Sequence, residues 1–368
     1  MTTAQLRREG NTTWIDGVPT LTGWFKLPTF IGALEAALSV TAHPVDYVDL
    51  LGLSGLAFRT RWLVGEHGPT GCMCSPTGET PMVWSALARG TGWQLEPFDA
   101  DGWDTPTMRR LIPRIVDAVD AGRPVLTVDR DLNSAVIYGH RQDQVTLLVR
   151  TYAEDSVACD ASELGQDPAL AIFVRVHRDP PPPEERLRAA LRDAIRAWEH
   201  TTWDTAVSDN LLSGRAALQA WATFYDRQDE MAQHVDRHKL LGHALWNQRH
   251  LFQARRGAAA FLARAGAHLP DAAYELDQAR ATYAREANLL RAVYDDTQCA
   301  MRDLRQAFFE DGRGALGPAW LETPIDAWDR GVREREQDLL KQALEIEQTA
   351  VAWLRAALAK TTPYTVPR

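Results

Sequence analysis

Four consecutive prolines at residues 180–183 constrain the fold of this 368-residue chain more than any other feature. Proline lacks a backbone N–H and fixes φ, so such a run forms a stiff, extended spacer. Short apolar runs broken by glycine, proline and aspartate precede it, and long segments with helical periodicity follow it. The sequence therefore predicts a first domain at residues 1–178, a proline linker at 179–183 and a second domain at 184–368.

The residues before the linker show both helical and strand patterns. Apolar periodicity predicts helices at 30–40, 44–53, 81–89 and 108–121. Period-two and buried apolar runs predict strands at 56–64, 93–98, 124–128, 135–138, 145–152 and 169–176. Helices come mainly first and hairpin strands last, which is typical of an α+β domain.

The residues after the linker are predicted to form an all-α helical bundle. Leu187, Leu191 and Ile195 are spaced four apart, on one face of a helix. Similar apolar stripes run through residues 276–294 and 328–354, and the segments 214–225 and 238–265 are also helical in pattern. We therefore expect an α+β domain followed by a helical bundle domain.

Charge and composition exclude several classes of partner. The net charge of -9 argues against a nucleic-acid binder, which normally carries a basic stripe. No apolar run reaches the roughly 18 residues of a membrane span, and the N-terminus lacks the apolar core of a signal peptide. We expect a cytoplasmic chain without a nucleic-acid or membrane partner. The 13 tryptophans favour aromatic packing and are compatible with a homodimer.

Three stretches of the N-terminal part resemble a known family. GALEAALSVTAHPVDYVDLLGLSGLAFRTRW (32–62) resembles the opening of papain-like proteins related to butirosin biosynthesis protein H and to bacteriocin-leader peptidases. GRPVL (122–126) and SAVIYGHRQDQVTLLVRTY (134–152) resemble their closing hairpin. A helical domain follows in butirosin biosynthesis protein H, and the resemblance extends over residues 15–260. It implies a papain-like α+β fold for the first domain.

The resemblance also implies where a catalytic triad would lie. The family's nucleophilic cysteine opens the first helix, where the helix dipole lowers the pKa of the thiol, but residues 29–33 hold no cysteine. Its histidine begins the first hairpin strand, but residues 132–135 hold no histidine. Its orienting residue ends the next strand, but residues 149–152 hold no carboxylate. The resemblance thus predicts a pseudoenzyme that binds a small molecule or peptide, in the biosynthesis of a secondary metabolite.

A relocated nucleophile is the first alternative. A Gly/Pro-rich loop holds Cys72 and Cys74 beside His67, and His140 lies near the hairpin. An active acyltransferase or amidohydrolase would use one of these thiols, with an imidazole as its base. Otherwise the loop carries free thiols that are too close in sequence for an unstrained disulfide, and His140 is a packing residue at the end of a strand.

A metal-binding or scaffold role of the helical half is the second alternative. His234 and His238 are four residues apart, so they share a helix face and could hold a metal if other helices added Glu286 or Glu345. The chain has no HExxH motif and no phosphate-binding loop with a P-loop lysine, so no cofactor is expected.

Two charged patterns concern helix packing instead. Glu286 interrupts an apolar stripe, which predicts a buried network with Arg256 or Asn247 that aligns the helices. The alternating charges at residues 333–336 predict a solvated helix face.

Overall fold

The computed structural model describes residues 5–21, 26, 28–65, 68–69, 81–98, 105–129, 133–141, 146–152, 157–160, 171–175, 178–201, 211–233, 235–295 and 325–361. The chain divides into two compact units, one of Met1–Leu50 and Ser75–Pro180, the other of Leu51–Cys74 and Pro181–Arg368. One change of unit falls inside the proline run. Residues 51–74, which the sequence interpretation kept with the first domain, belong to the second unit.

The described residues form eleven strands. They are β1 (Leu6–Glu9), β2 (Thr12–Ile15), β3 (Arg61–Gly65), β4 (Gly68–Pro69), β5 (Leu95–Pro97), β6 (Val125–Val128), β7 (Ser134–Arg141), β8 (Thr146–Arg150), β9 (Val157–Asp160), β10 (Ile172–Val174) and β11 (Leu211–Ser213). Eight of them form one curled antiparallel sheet in the first unit, in the order β1-β2-β7-β6-β10-β5, with β8 paired to β7 and β9 to β8. The second unit holds a small sheet in the order β11-β3-β4.

The described residues also form ten α-helices. They are α1 (Thr29–Ser39), α2 (Tyr47–Leu53), α3 (Pro81–Thr91), α4 (Thr105–Asp120), α5 (Pro183–Glu199), α6 (Gly214–Asp226), α7 (Gln228–Met231), α8 (Arg237–His268), α9 (Ala273–Asp295) and α10 (Arg330–Thr361). The predicted layout, α+β first and helical after, is confirmed at this level. None of the helices within the described ranges combines the length and the hydropathy needed to cross a lipid bilayer.

Strand β7 organises the first unit because both of its edges are paired. Its start pairs with β6, its end with β2, and its other edge with β8. Helices α1 and α4 also pack against it, and seven of its eight residues are buried. Gly139 is needed in this strand, since a Cβ there would lie 2.8 Å from the Thr13 carbonyl oxygen.

Local turns explain where the predicted strands were wrong. The β1–β2 hairpin was not predicted; its two-residue connection begins with Gly10, whose φ of 56° suits such a tight turn. The strand predicted at 56–64 begins only at Arg61. Gly55 has a φ of 79° and turns the chain, so that the Ala57 N–H donates to the Leu51 carbonyl oxygen at 3.1 Å.

Two helices of the second unit begin at residues that favour a helix start. Pro183, the last of the proline run, opens α5, where a fixed φ favours the first helical turn. Helix α8 begins where the Asp236 carboxylate accepts the His238 N–H at 2.9 Å, and it ends two residues before Pro270. Helix α9 packs against both α8 and α10. These three long helices form the core of the second unit.

The charged run at residues 333–336 corrects the prediction of a solvated face. Arg333 and Glu336 are buried, and only the two residues between them are exposed. Glu336 accepts a hydrogen bond from Nε1 of the buried Trp328 at 3.0 Å, and Arg333 donates to Asp229 at 3.1 Å. Residues three apart share a helix face, so Arg333 and Glu336 lie together on the buried face of the helix. The two charged residues between them lie on its exposed face.

Two glycines of α8 give a matched test of the close approach between α2 and α8. A Cβ at Gly257 would overlap Leu51, whereas a Cβ at Gly266 would meet nothing within 4 Å. We expect Gly257→Ala to lower the free energy of unfolding by about 1–3 kcal/mol, because it overpacks the interface. Gly266→Ala should raise it by about 0.5–1 kcal/mol, because alanine favours the helix. Urea denaturation measures both, and equal effects would contradict the close approach.

Candidate functional site

Three residues of the first unit, one from each stretch where the resemblance predicts a triad residue, are joined by hydrogen bonds. Thr29 is the first residue of α1, Ser134 is the first residue of β7, and Tyr152 follows β8 by two residues. We call these three residues the hydroxyl cluster. The sequence located only the stretches, and the fold selects the residue in each.

Two hydrogen bonds join the hydroxyl cluster. The Ser134 backbone N–H donates to Thr29 Oγ1 at 3.2 Å, and the Tyr152 phenol donates to the Thr29 carbonyl oxygen at 3.0 Å. Thr29, Ser134 and Tyr152 are only 5%, 1% and 8% exposed. Because buried polar groups are costly without partners, these bonds fix the N-terminus of α1 to both strands of the β7–β8 hairpin.

Gly32, one turn into α1, makes room for the Tyr152 phenol. A Cβ at residue 32 would overlap the Tyr152 hydroxyl. The phenol therefore occupies the space beside the first turn of α1 that a side chain would otherwise fill. A substrate approaching Thr29 Oγ1 from this side would first have to displace Tyr152.

The surroundings of the hydroxyl cluster keep the phenol protonated. Lys26 forms an ion pair with Glu35, which also accepts the Tyr47 N–H at 3.1 Å. Burial first, and then the nearby tyrosine and carboxylate groups, raise the pKa of Tyr152 well above its usual value. At neutral pH Tyr152 is therefore a hydrogen-bond donor to Thr29.

The hydroxyl cluster lacks the groups that activate a nucleophile. An alcohol attacks a carbonyl group efficiently only when a base such as imidazole takes its proton. The three positions hold two alcohols and a phenol of raised pKa, and Thr29 Oγ1 receives a backbone N–H rather than facing a base. The arrangement is suited to holding α1 against the hairpin.

His140, one of the candidate bases, lies on β7 away from the start of the strand. It is 5% exposed, and its Nε2 is 3.2 Å from Oδ1 of Asp120 in α4. Its Nδ1 lies 3.2 Å from the carbonyl oxygen of Arg141. His140 therefore links β7 to the end of α4.

The other predicted site residues fall into two groups. Cys72, Cys74, His67 and His234 lie outside the described residues. His238 donates its backbone N–H to Asp236, the residue that caps α8, and its Nδ1 lies 3.4 Å from Asp236 Oδ1. Within the described part of the chain, no group of three or more His, Cys, Asp or Glu residues could hold a metal ion.

A second buried polar cluster lies in the second unit and is built on Arg255 of α8. Its guanidinium forms ion pairs with Glu286 of α9, Nε to Oε2 at 3.4 Å, and with Glu347 of α10. It also donates to the Ala57 carbonyl oxygen at 3.0 Å and to Thr60 Oγ1 at 2.5 Å. None of the three charged side chains is more than 1% exposed. We call Arg255, Glu286 and Glu347 the ion cluster.

The predicted network around Glu286 was right in kind and wrong in its partners. Arg256 is exposed, and the adjacent Arg255 pairs with Glu286. Asn247 is buried, and its side chain donates to the His243 carbonyl oxygen of its own helix at 2.9 Å. The ion cluster therefore aligns the helices as expected, but through the neighbouring arginine.

One guanidinium faces two carboxylates in the ion cluster. Burial raises the pKa of Glu286 from its ordinary value of 4.5 to about 7, while the Arg255 charge opposes this shift. The folded state thus holds the Glu286 proton more tightly than the unfolded chain does. Stability from the protonated carboxyl is fully present below pH 4.5 and is lost as the pH rises towards about 7.

Sequence comparisons give no relative for this chain. No protein-family model matches it, and no curated protein sequence matches it. The assignment of Thr29, Ser134 and Tyr152 to triad positions is therefore a prediction from the resemblance alone.

The contact between Tyr152 and Gly32 predicts coupled mutational effects. Tyr152→Phe should lower the free energy of unfolding by about 0.5–1.5 kcal/mol, because one buried hydrogen bond is lost. Gly32→Ala, in the otherwise wild-type chain, should lower the free energy of unfolding more than Tyr152→Phe does, because the new Cβ overlaps the hydroxyl. In the double variant the overlap is relieved, so we expect a loss smaller than the sum by about 0.5 kcal/mol or more. Strictly additive losses in urea denaturation would contradict the contact.

The ion cluster predicts a pH dependence that one substitution removes. We expect the free energy of unfolding of the wild-type chain to fall by on the order of 3 kcal/mol as pH rises from 4.5 to about 7, because Glu286 loses its proton. Glu286→Gln removes this slope and should be the more stable protein at pH 8. Glu347→Gln, the matched control, should be less stable than wild type at pH 8 because it removes the other partner of Arg255.

Urea denaturation of the three proteins between pH 4.5 and 8 measures these differences. Buried His250, whose pKa is lowered to about 3 by burial and by nearby arginines, also titrates on unfolding. Its contribution is common to all three proteins, so the difference between them isolates Glu286. Parallel stability curves for wild type and Glu286→Gln would contradict the raised pKa.

Proposed function

We propose that this chain is a catalytically inactive protein of papain-like fold that binds a small molecule or peptide. The hydroxyl cluster is the observation that supports this proposal. Three stretches, far apart in sequence and placed at the triad positions by the resemblance, are joined by hydrogen bonds at the N-terminus of α1. An accidental resemblance gives no reason for them to converge there.

The chemistry of the hydroxyl cluster supports the absence of acyl transfer. The contact between helix and hairpin is kept, whereas the thiol, imidazole and carboxylate of the resembled family are replaced. Tyr152 is hydrogen-bonded to the backbone of Thr29, so it strengthens the contact instead of orienting a base. The first unit is then a binding scaffold derived from an enzyme architecture.

Restoring the triad residues tests the correspondence. In Thr29→Cys the thiol is buried beside Tyr152, and we expect slow labelling by iodoacetamide with an ordinary pKa of about 8.5. In Thr29→Cys/Ser134→His/Tyr152→Asn, a histidine faces the thiol and an amide orients it. Labelling of the introduced thiol at pH 5–6 should then rise at least about tenfold, because the thiolate is stabilised.

A matched variant separates activation from exposure. Thr29→Cys/Ser134→Ala/Tyr152→Asn opens the same space without supplying a base, so its thiol should keep an ordinary pKa. Mass spectrometry reads the labelling, and thermal melting followed by circular dichroism establishes that each variant is folded. Equal labelling of the histidine and alanine variants at pH 5–6 would contradict the correspondence.

The same labelling experiment addresses the relocated-nucleophile alternative in the wild-type chain. We expect Cys72 and Cys74 to react like free thiols, with a pKa of about 8.5. Alanine at either position should leave folding unchanged. Fast labelling of either thiol at pH 5 would overturn the assignment of an inactive protein and favour an enzyme that uses this loop.

A further inference from the structure

A cavity of about 240 Å³ lies in the first unit, apart from the hydroxyl cluster. One wall comes from α4 and the turn that follows it, and the other from β10 and the residue after it. The charged and aromatic residues that line it are Arg114, Asp117, Arg123, Phe173 and Arg175. Three guanidinium groups thus border one small cavity.

The fold brings these residues together by simple local rules. Arg114 and Ala118 are four residues apart and share the face of α4 that borders the cavity. After α4 the backbone turns at Gly122, whose φ is 71°, and the Arg123 N–H donates to the Ala118 carbonyl oxygen at 2.9 Å. This turn is a helix C-cap, and it returns Arg123 to the cavity wall.

Two of the three guanidinium groups are fixed by one carboxylate. Glu96 of β5 lies opposite Phe173 of β10, and its Oε1 accepts from Arg114 Nη2 at 2.7 Å. Its other oxygen pairs with Arg175. The Arg114 guanidinium also lies 4.7 Å from the centre of the Phe173 ring. Arg114 and Arg175 are thus held in place before any ligand arrives.

Arg123 is the guanidinium that these contacts leave available. Within the part of the chain that the structure describes, no hydrogen bond or ion pair engages its side chain. The hydrogen bonds with Arg175 and Arg114 also lower the pKa of Glu96, although its burial opposes this shift, so this carboxylate is ionised at neutral pH. The three guanidinium groups carry three positive charges, and the carboxylates of Glu96 and Asp117 carry two negative charges. One positive charge is therefore uncompensated.

We propose that this cavity binds a small organic monocarboxylate, with the carboxylate paired to Arg123 and the apolar body packed against Phe173 and Ala118. The guanidinium fork matches a carboxylate in geometry as well as charge. The cavity is smaller than the roughly 300–1,000 Å³ of sites for drug-sized ligands, which sets the class of ligand as small. Asp117 at the wall disfavours a dianion. The inference rests on the binding role proposed above and gives it a site.

Benzoate is the probe for this site, and isothermal titration of the full-length chain is the measurement. Benzamide has nearly the same shape without the charge, and we expect it to bind at least about tenfold more weakly. Inorganic phosphate should also bind more weakly than benzoate. Arg123→Gln should weaken benzoate at least about tenfold, whereas Arg109→Gln, an exposed residue of α4 outside the cavity, should leave it unchanged.

A variant that is expected to bind benzoate more tightly tests the site in a way that unfolding cannot imitate. Asp117→Asn removes a negative charge from the wall and should tighten benzoate binding by about threefold, an effect that weakens at high salt. Benzoate that binds no better than benzamide, or equally to wild type and Arg123→Gln, overturns the site. So does absence of benzoate binding to wild type up to about 10 mM. Such a failure leaves the cysteine-labelling outcome untouched, so the two proposals fail separately.

Discussion

The buried guanidinium of Arg255 is the interaction on which the second unit depends most. It pairs with carboxylates from α9 and α10 and donates to the carbonyl oxygens of Ala57 and Arg59, at 3.0 and 3.3 Å. Removing Arg255 would leave two buried carboxylates without their counter-charge, which is far more costly than losing a surface ion pair. One side chain thus ties three helices to the segment that precedes β3.

This role of Arg255 explains why residues 51–74 belong to the second unit although more than a hundred residues separate them from the rest of it. Gly52 lies against Phe261, and Gly257 lies against Leu51, so the backbones approach closely where side chains are missing. The carbonyl groups of residues 57 and 59 also accept hydrogen bonds from Arg255. Composition changes sharply at the proline run, but tertiary contacts rather than composition decide to which unit a segment belongs.

The ion cluster also shows which buried charges can be predicted from sequence patterns. Glu286 was recognisable because a charge in an apolar stripe needs a buried partner. The partner could have been found from the same periodicity: Leu251, Ala258 and Leu262 are buried at i−4, i+3 and i+7 from residue 255, which places that residue on the apolar stripe. The second carboxylate, Glu347, could have been found in the same way, because Ala343, Ala350 and Leu354 are buried at i−4, i+3 and i+7 from it. That the three charges meet depends on how the helices pack, which no local pattern specifies.

The hydroxyl cluster shows a different limit of prediction from sequence. The stretches 29–33, 132–135 and 149–152 follow from the resemblance, yet the choice of Thr29, Ser134 and Tyr152 depends on hydrogen bonds between residues more than 100 positions apart. These positions are coupled to a fourth, because the Tyr152 phenol needs the missing side chain of Gly32. A reactive thiol requires an open approach and a charged neighbour, whereas this phenol closes the approach and stays neutral. These contacts therefore support one another, and each disfavours a reactive nucleophile at residue 29.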